Sequence, residues 1–301
     1  MGGPNRRIDI SKGLNELAGR KVAKMNGAGN EILVMDLRGA GVAATGADAR
    51  AIRGDRRLEF DQLMVVSEPR SPGADAFVTI FNNDGSEAGA CGNGARCVAY
   101  ALMRDGGEVL RLETREAVLT CRRRSDLVFE VDMGRPRWGW RDIPLRDPIA
   151  DTRRVAIELP EGAPASLGST SLVNMGNPHA IFWVDNIDTY DLAAFGPLLE
   201  IHPLFPERAN ISLARVEARN RIQLKVWERG AGLTRACGSA ACAALVAAGR
   251  LELADRRAEV RLPGGELTIQ WRSVDDHVLM TGPVEFEFET TLAARLFEPT
   301  T

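Results

Sequence analysis

The chain has 301 residues, 45% of them hydrophobic and 26% charged, a balance that excludes disorder and a length that suits two domains of about 100–200 residues each. Its formal net charge of −3, from 38 Lys and Arg against 41 Asp and Glu, gives no electrostatic footprint for nucleic acid. No apolar run is long enough to span a bilayer and the opening residues lack a signal-like stretch, so a cytoplasmic protein with reduced thiols and no membrane partner is expected.

The first 19 or so residues are polar and read as an extension without function. Gly27-Ala28-Gly29-Asn30 follows as a loop signal, and residues 47–53 predict a helix. Strands are predicted at 63–66 and 76–81, then a turn through Phe81-Asn82-Asn83-Asp84-Gly85. Ala90-Cys91-Gly92-Asn93-Gly94-Ala95 leads into an alanine-rich run that predicts a helix over 95–104. Arg122-Arg123-Arg124 before Ser125-Asp126 reads as a solvated hairpin turn ahead of a strand at 127–131. Residues 133–150, with Pro136, Pro144, Pro148 and Trp138-Gly139-Trp140, break the pattern and read as a domain connection.

Beyond that connection the order repeats. A strand is predicted at 180–184, a helix at 189–199 capped by Asp188, and a strand at 221–226. Ala236-Cys237-Gly238-Ser239-Ala240-Ala241 then opens a helix over 240–250, followed by a strand at 267–271. This is a mixed, strand-rich α/β chain without the strict alternation of a nucleotide-binding sheet. Strands, a glycine-bearing loop, Ala-Cys-Gly and a helix occur once in each half, which predicts an internal duplication: two pseudo-symmetric domains with a cleft between them.

The two matched cysteines carry the chemical argument. A thiol at a helix start lies at the positive end of the helix dipole, where its pKa can fall from ~8.5 to roughly 3.5–7.5. Inverting a stereocentre by proton transfer needs a base on one face of a carbon and an acid on the other. One thiolate and one thiol supply both, although two adjacent thiolates repel and titrate as a coupled pair. Free N–H groups at Gly92-Asn93 and Gly238-Ser239 suit an α-carboxylate and the charge that develops on deprotonation. The bland alternative, that Cys91 and Cys237 are small buried hydrophobes, leaves their duplication unexplained.

The five cysteines match neither zinc spacing nor Cys-x-x-Cys, so no metal is expected. Cys97 and Cys242 read as core, and Cys121 has no evident role. The lysines, Lys12, Lys21, Lys24 and Lys225, occupy no catalytic-looking setting, which argues against pyridoxal phosphate and leaves no cofactor expected. Asn30, Asn82, Asn177 and Asn210 stand in short polar motifs that suit a ligand with ammonium and carboxylate groups, or are turn residues. Glu228-Arg229 is either a surface ion pair or a grip on such a ligand, and His179, after Asn177-Pro178, is either a support for a thiol or a packed turn residue.

Together, FNNDGSEAGACGNGARC, NMGNPH, FPERANIS and WERGAGLTRACGSAAC make the chain resemble the diaminopimelate epimerases from about Lys24 to about Pro283. The resemblance implies cofactor-independent interconversion of LL- and meso-diaminopimelate in lysine and peptidoglycan synthesis. It implies that Cys91 and Cys237 are the acid/base thiols with His179 near them, and that Gly92, Asn93, Gly238 and Ser239 hold the α-carboxylate. Asn30, Gln62, Asn82, Asn177, Asn210, Glu228 and Arg229 would hold the rest of the substrate. It also implies that the C-terminal tail returns to the first domain, giving domains of 1–132 plus 283–301 (with Cys91) and 133–282 (with Cys237), and that the protein is a homodimer. Asn26 and Leu233 depart from the family's usual residues. The rival readings are a proline or hydroxyproline racemase and, from another class, a thiol redox protein.

Overall fold

The computed structural model describes residues 16–89 and 91–298, so most of the expected N-terminal extension and Ala90 of the first cysteine motif lie outside the described residues. Short runs of branched and aromatic residues form the strands. In the first half these are β1 (Lys21–Asn26), β2 (Glu31–Asp36), β3 (Gln62–Ser67), β4 (Ala76–Asn82), β5 (Glu87–Ala88), β6 (Val109–Glu113), β7 (Val118–Ser125) and β8 (Val128–Asp132). Helix α1 (Gly46–Arg53) falls between β2 and β3, and α2 (Gly92–Leu102) between β5 and β6. The second half runs β9 (Thr170–Asn174), β10 (Pro178–Trp183), α3 (Leu192–Glu200), β11 (Asn210–Ala218), β12 (Arg221–Glu228) and β13 (Gly232–Thr234). It continues with α4 (Gly238–Arg250), β14 (Arg257–Leu262), β15 (Gly265–Trp271) and β16 (Val278–Pro283), and the chain then adds β17 (Glu285–Thr291).

The halves repeat each other strand for strand. β2 lies parallel to β3 as β10 does to β11, and β3 is antiparallel to β4 as β11 is to β12. β4 takes β5 antiparallel and β6 parallel, and β12 takes β13 and β14 in the same senses. The last strands of the two halves, β8 and β16, pair antiparallel and join the sheets, while β17 crosses back to pair with β1. This is the duplicated, strand-rich α/β fold expected from the repeated motifs.

Each sheet curls round one helix. α2 packs on β1, β2, β3, β7, β8 and β16, α4 on strands from β9 to β16, and the two helices touch. The run Ala240-Ala241-Cys242-Ala243-Ala244-Leu245-Val246-Ala247-Ala248 is buried on every face, as expected of a helix enclosed by sheet rather than laid on it. Small side chains allow that close wrap. Separate apolar clusters lie under the outer helices α1 and α3. No helix among the described residues is long and apolar enough to cross a membrane.

Several sequence expectations need correction. α2 begins at Gly92, not 95, and α4 at Gly238, not 240, with Cys91 and Cys237 themselves as the N-cap residues in extended conformation. Residues 187–189 form a separate turn because Asn186 accepts the Asp188 N–H; Asp191, not Asp188, caps α3. The arginine run belongs to β7. Arg122 and Arg124 are exposed as expected, but Arg124 pairs with Glu130 across the strands, and Arg123 donates to the Met103 carbonyl and lies over the Phe129 ring. The connection from 133 onward packs on the second half through Ile143, Leu145, Val155 and Leu167.

Candidate active site

The duplication sets out the polar residues at equivalent strand ends. Asn30 immediately precedes β2, and Asn177 immediately precedes β10. Gln62 opens β3 as Asn210 opens β11; Asn82 closes β4 as Glu228 closes β12. Because the first strand of each trio is parallel to the second and the third is antiparallel, all three residues fall at one end of their sheet. The cysteine-capped helix follows in each half.

In the first half, the Cys91 Sγ accepts from the Gly94 N–H at 3.2 Å and lies 3.8 Å from Asn30 Oδ1. Asn30 Nδ2 donates to Asp61, which also takes the Glu31 N–H. Gln62 Nε2 donates to Asn82 Oδ1 at 3.2 Å, and the buried Gln62 Oε1 has no hydrogen-bond partner among the described residues. Asn93 is buried and its Oδ1 accepts from Arg96 Nη1. Asn26 ties the loop, its Oδ1 accepting the Gly29 N–H and its Nδ2 donating to Glu31, so this departure from the family residue keeps a local role.

In the second half, Cys237 is buried, with its Sγ 3.5 Å from Ser239 Oγ. Thr234 Oγ1 donates to the Glu228 carboxylate at 2.5 Å. Asn210 Nδ2 donates to the Pro178 carbonyl, its Oδ1 takes the Arg229 N–H, and Arg229 Nη1 donates to the Glu207 carbonyl. His179 is fully buried with its Nε2 2.7 Å from Asn177 Oδ1, and no hydrogen bond joins it to either thiol among the described residues. Burial, then the Arg229 charge, holds its pKa down at about 3, so the ring is neutral. Leu233 is 45% exposed and touches neither thiol through a hydrogen bond.

The halves meet at these ends. A Cβ on Gly29 would fall 2.4 Å from Gly264 Cα, so the Ala28-Gly29 loop and the β14–β15 turn touch backbone to backbone. With φ of +94° at Gly29, only glycine fits this approach on both counts. A Cβ on Gly238 would lie 3.2 Å from Asn93 Oδ1, which puts the start of α4 against the first turn of α2. Met280 sits under both starts, its thioether blocking a Cβ at Gly92 and at Gly238 alike.

One carboxylate bears on both sulfurs. Burial pushes the Cys91 thiol up to about 11; the Glu228 charge adds to the rise, while the Gly94 N–H and Arg96 oppose it. Burial also raises Cys237 well above the ordinary thiol range, and Glu228 again adds to it. The Glu228 carboxyl is itself raised by burial, with Asp61 of the first half contributing. The expectation of acidified thiols at helix starts is therefore reversed: burial raises both, and desolvation of a thiolate outweighs the backbone N–H groups that favour it. All five cysteines are free thiols.

Sequence reasoning missed Asp61, Thr234, Arg96 and Met280. Asp61 and Thr234 adjoin recognised motifs and could have been found there. Met280 lies some 40 residues beyond the second cysteine in an ordinary strand and gives no signal.

The diaminopimelate epimerase family model matches residues 22–139 and 171–287, the two repeats in turn. Diaminopimelate epimerase from Methylocella silvestris is 61% identical over 286 residues, covering 94% of this chain and 98% of that protein. The enzyme of the same name from Rhodopseudomonas palustris is 56% identical, covering 92% and 96%. Among solved structures, a probable proline racemase from Agrobacterium radiobacter superposes with a TM-score of 0.66 at 15% identity over 91% of this chain and 93% of that one, which shows a common fold. The chain belongs to the diaminopimelate epimerase family.

Proposed function

We propose that this isomerase converts LL- to meso-diaminopimelate by two-base proton transfer between Cys91 and Cys237. The epimerase activity and its substrate follow from family membership and the full-length relatives. The observation that carries the mechanism is the pair of cysteine-capped helices, one from each repeat, whose thiols sense the same Glu228 carboxylate.

In the forward direction one sulfur, as thiolate, takes the α-proton from one face. The electron pair is held at the α-carbon and its carboxylate while the other thiol delivers a proton to the opposite face. The sulfurs exchange roles and no other reactant is consumed. Gly92, Asn93, Gly238 and Ser239 present helix-start N–H groups to the α-carboxylate. Asn30, Gln62, Asn82, Asn177, Asn210, Glu228 and Arg229 hold the ammonium and distal groups; the donor-seeking Gln62 Oε1 suits an ammonium. His179, neutral and bonded to Asn177, positions that side of the site. We assign the domains as 1–132 with 283–301, and 133–282, a division supported by the return of β17 to β1.

In deuterated water, the newly formed stereoisomer should carry deuterium at the inverted carbon while early unreacted substrate stays unlabelled. Equal early labelling of both would replace two bases with one. Proline should not turn over, since it has no distal ionic end for Glu228 and Arg229; turnover of proline would favour the racemase reading. We further propose a homodimer, supported by Phe288, exposed on β17, which pairs only with β1 among the described strands. Sedimentation at twice 32.7 kDa is expected, and a 32.7 kDa species would exclude it.

A further inference from the structure

Arg96 is the largest fully buried side chain among the described residues. It lies on α2 between the two cysteine-capped helix starts. Its Nη1 donates to Asn93 Oδ1 at 3.1 Å and approaches Met280 Sδ at 3.6 Å, while Nε and Nη2 have no partner among the described residues. A guanidinium cannot shed its charge by deprotonation at neutral pH, and a buried cation without an anion is strongly unfavourable. No carboxylate pairs with it among the described residues. The acids that bear on it are thiols: Cys91 and Cys97 of α2, Cys121 of β7 and Cys242 of α4.

Those four are not equal. Cys97, Cys121 and Cys242 are pushed by burial to about 12 and remain protonated. Cys91 is half-buried, takes the Gly94 N–H and rises less, to about 11. Of the thiols near Arg96, Cys91 is the one that is not fully buried, and its Sγ faces a backbone N–H that favours a thiolate. Asn93, whose side chain Arg96 holds, stands against the start of α4, so the same cation is fixed at the seam where both thiols work.

We propose that Arg96 is the built-in counter-cation of the Cys91 thiolate and, through Asn93, a positioning residue for both helix starts. The inference rests on the reading of Cys91 as a proton-transfer thiol. The charges that act on that thiol are Arg96 from its own helix, favouring the thiolate, and Glu228 from β12, opposing it; Cys97 of α2 is coupled to it and itself feels Lys24 and Glu31.

The test compares Arg96→Met, Arg96→Gln and Arg96→Lys in the full chain, by the pH dependence of kcat/KM and of Cys91 alkylation by iodoacetamide. Loss of the cation should move the acid limb of both profiles up by about one pH unit, which is about tenfold less thiolate at a given pH on that limb. Arg96→Lys, which keeps the charge, should return the limb to near the original pH. A purely structural role would lower activity by one factor at every pH and leave the limb in place, and that result would overturn the proposal. So would failure of the neutral variants to fold, since the cation would then serve folding. If Cys91→Ser remains active, the reading of Cys91 fails. If Cys91→Ser is dead while Arg96→Met keeps its limb, only the role of Arg96 fails.

Discussion

Where β4 ends the first repeat has Asn82; where β12 ends the second has Glu228. The second residue of β2 is Ile32, and that of β10 is His179. Equivalent backbone positions thus carry neutral amides and an aliphatic side chain on one side, and a carboxylate, an imidazole and an adjacent arginine on the other. The repeat places the proposed site residues at equivalent strand ends, and their side chains there differ in charge. The thiols differ accordingly. Cys91 is half-buried and accepts a helix N–H, whereas Cys237 is 4% exposed, makes no cap hydrogen bond and lies nearer the influence of Glu228. Unlike halves suit a substrate that needs one centre handled symmetrically while the remainder is held from one side.

The largest effect should be common to both halves. Cys91→Ser and Cys237→Ser should each reduce kcat by about 10²–10⁴, because a hydroxyl is too weak an acid to replace either thiol. A variant of near-normal turnover would remove that half from the chemistry. The next effect should separate the halves. Iodoacetamide at pH 8 should label Cys91 at least about tenfold faster than Cys237, read by peptide mass mapping, since only the thiolate reacts and Cys237 is the more deeply desolvated. Glu228→Gln makes the second strand end resemble the first. It should lower both thiol pKa values and bring on alkylation at lower pH; an unchanged profile would refute the shared carboxylate.

The last effect is on stability, not on rate, and belongs to the second half alone. His179 has an ordinary pKa of 6.5 and is held at about 3 in the fold. The unfolded chain therefore binds the proton first, so its contribution is complete above pH 6.5 and is lost as pH falls toward 3. The slope should approach ~1.4 kcal/mol per pH unit in that window and should flatten in His179→Gln, as measured by urea unfolding between pH 4 and 7. An equal slope in that variant would move the acid sensitivity elsewhere.

The repeated Ala-Cys-Gly motif, with its glycine-bearing loop and following alanine run, was enough to read the duplication and the two helices it opens, and together with NMGNPH, FPERANIS and the residues flanking each cysteine it gave the family. Such signals are local: a cap, a turn and small residues in sequence each restrict a few dihedral angles. Both cysteines were read at helix starts, but the helices were begun two or three residues late because a cysteine is an unusual cap and Gly-Asn-Gly or Gly-Ser is a weak helix opening. Strands such as β1, β7 and β17 carry mixed charge and alternate weakly, so their existence depended on the neighbours they pair with.

The chain by itself determined which side chains recur in pairs and therefore what chemistry the protein can attempt, because residue type and spacing are covalent facts. Only the tertiary structure decided that Glu228 presses on both thiols, that burial overrides the helix dipoles, and that an arginine without a carboxylate lies between the two helix starts. Those are effects of desolvation and of the approach of segments as far apart as Glu228 and Cys91, more than 100 residues distant in the chain, and no local stretch of sequence encodes either.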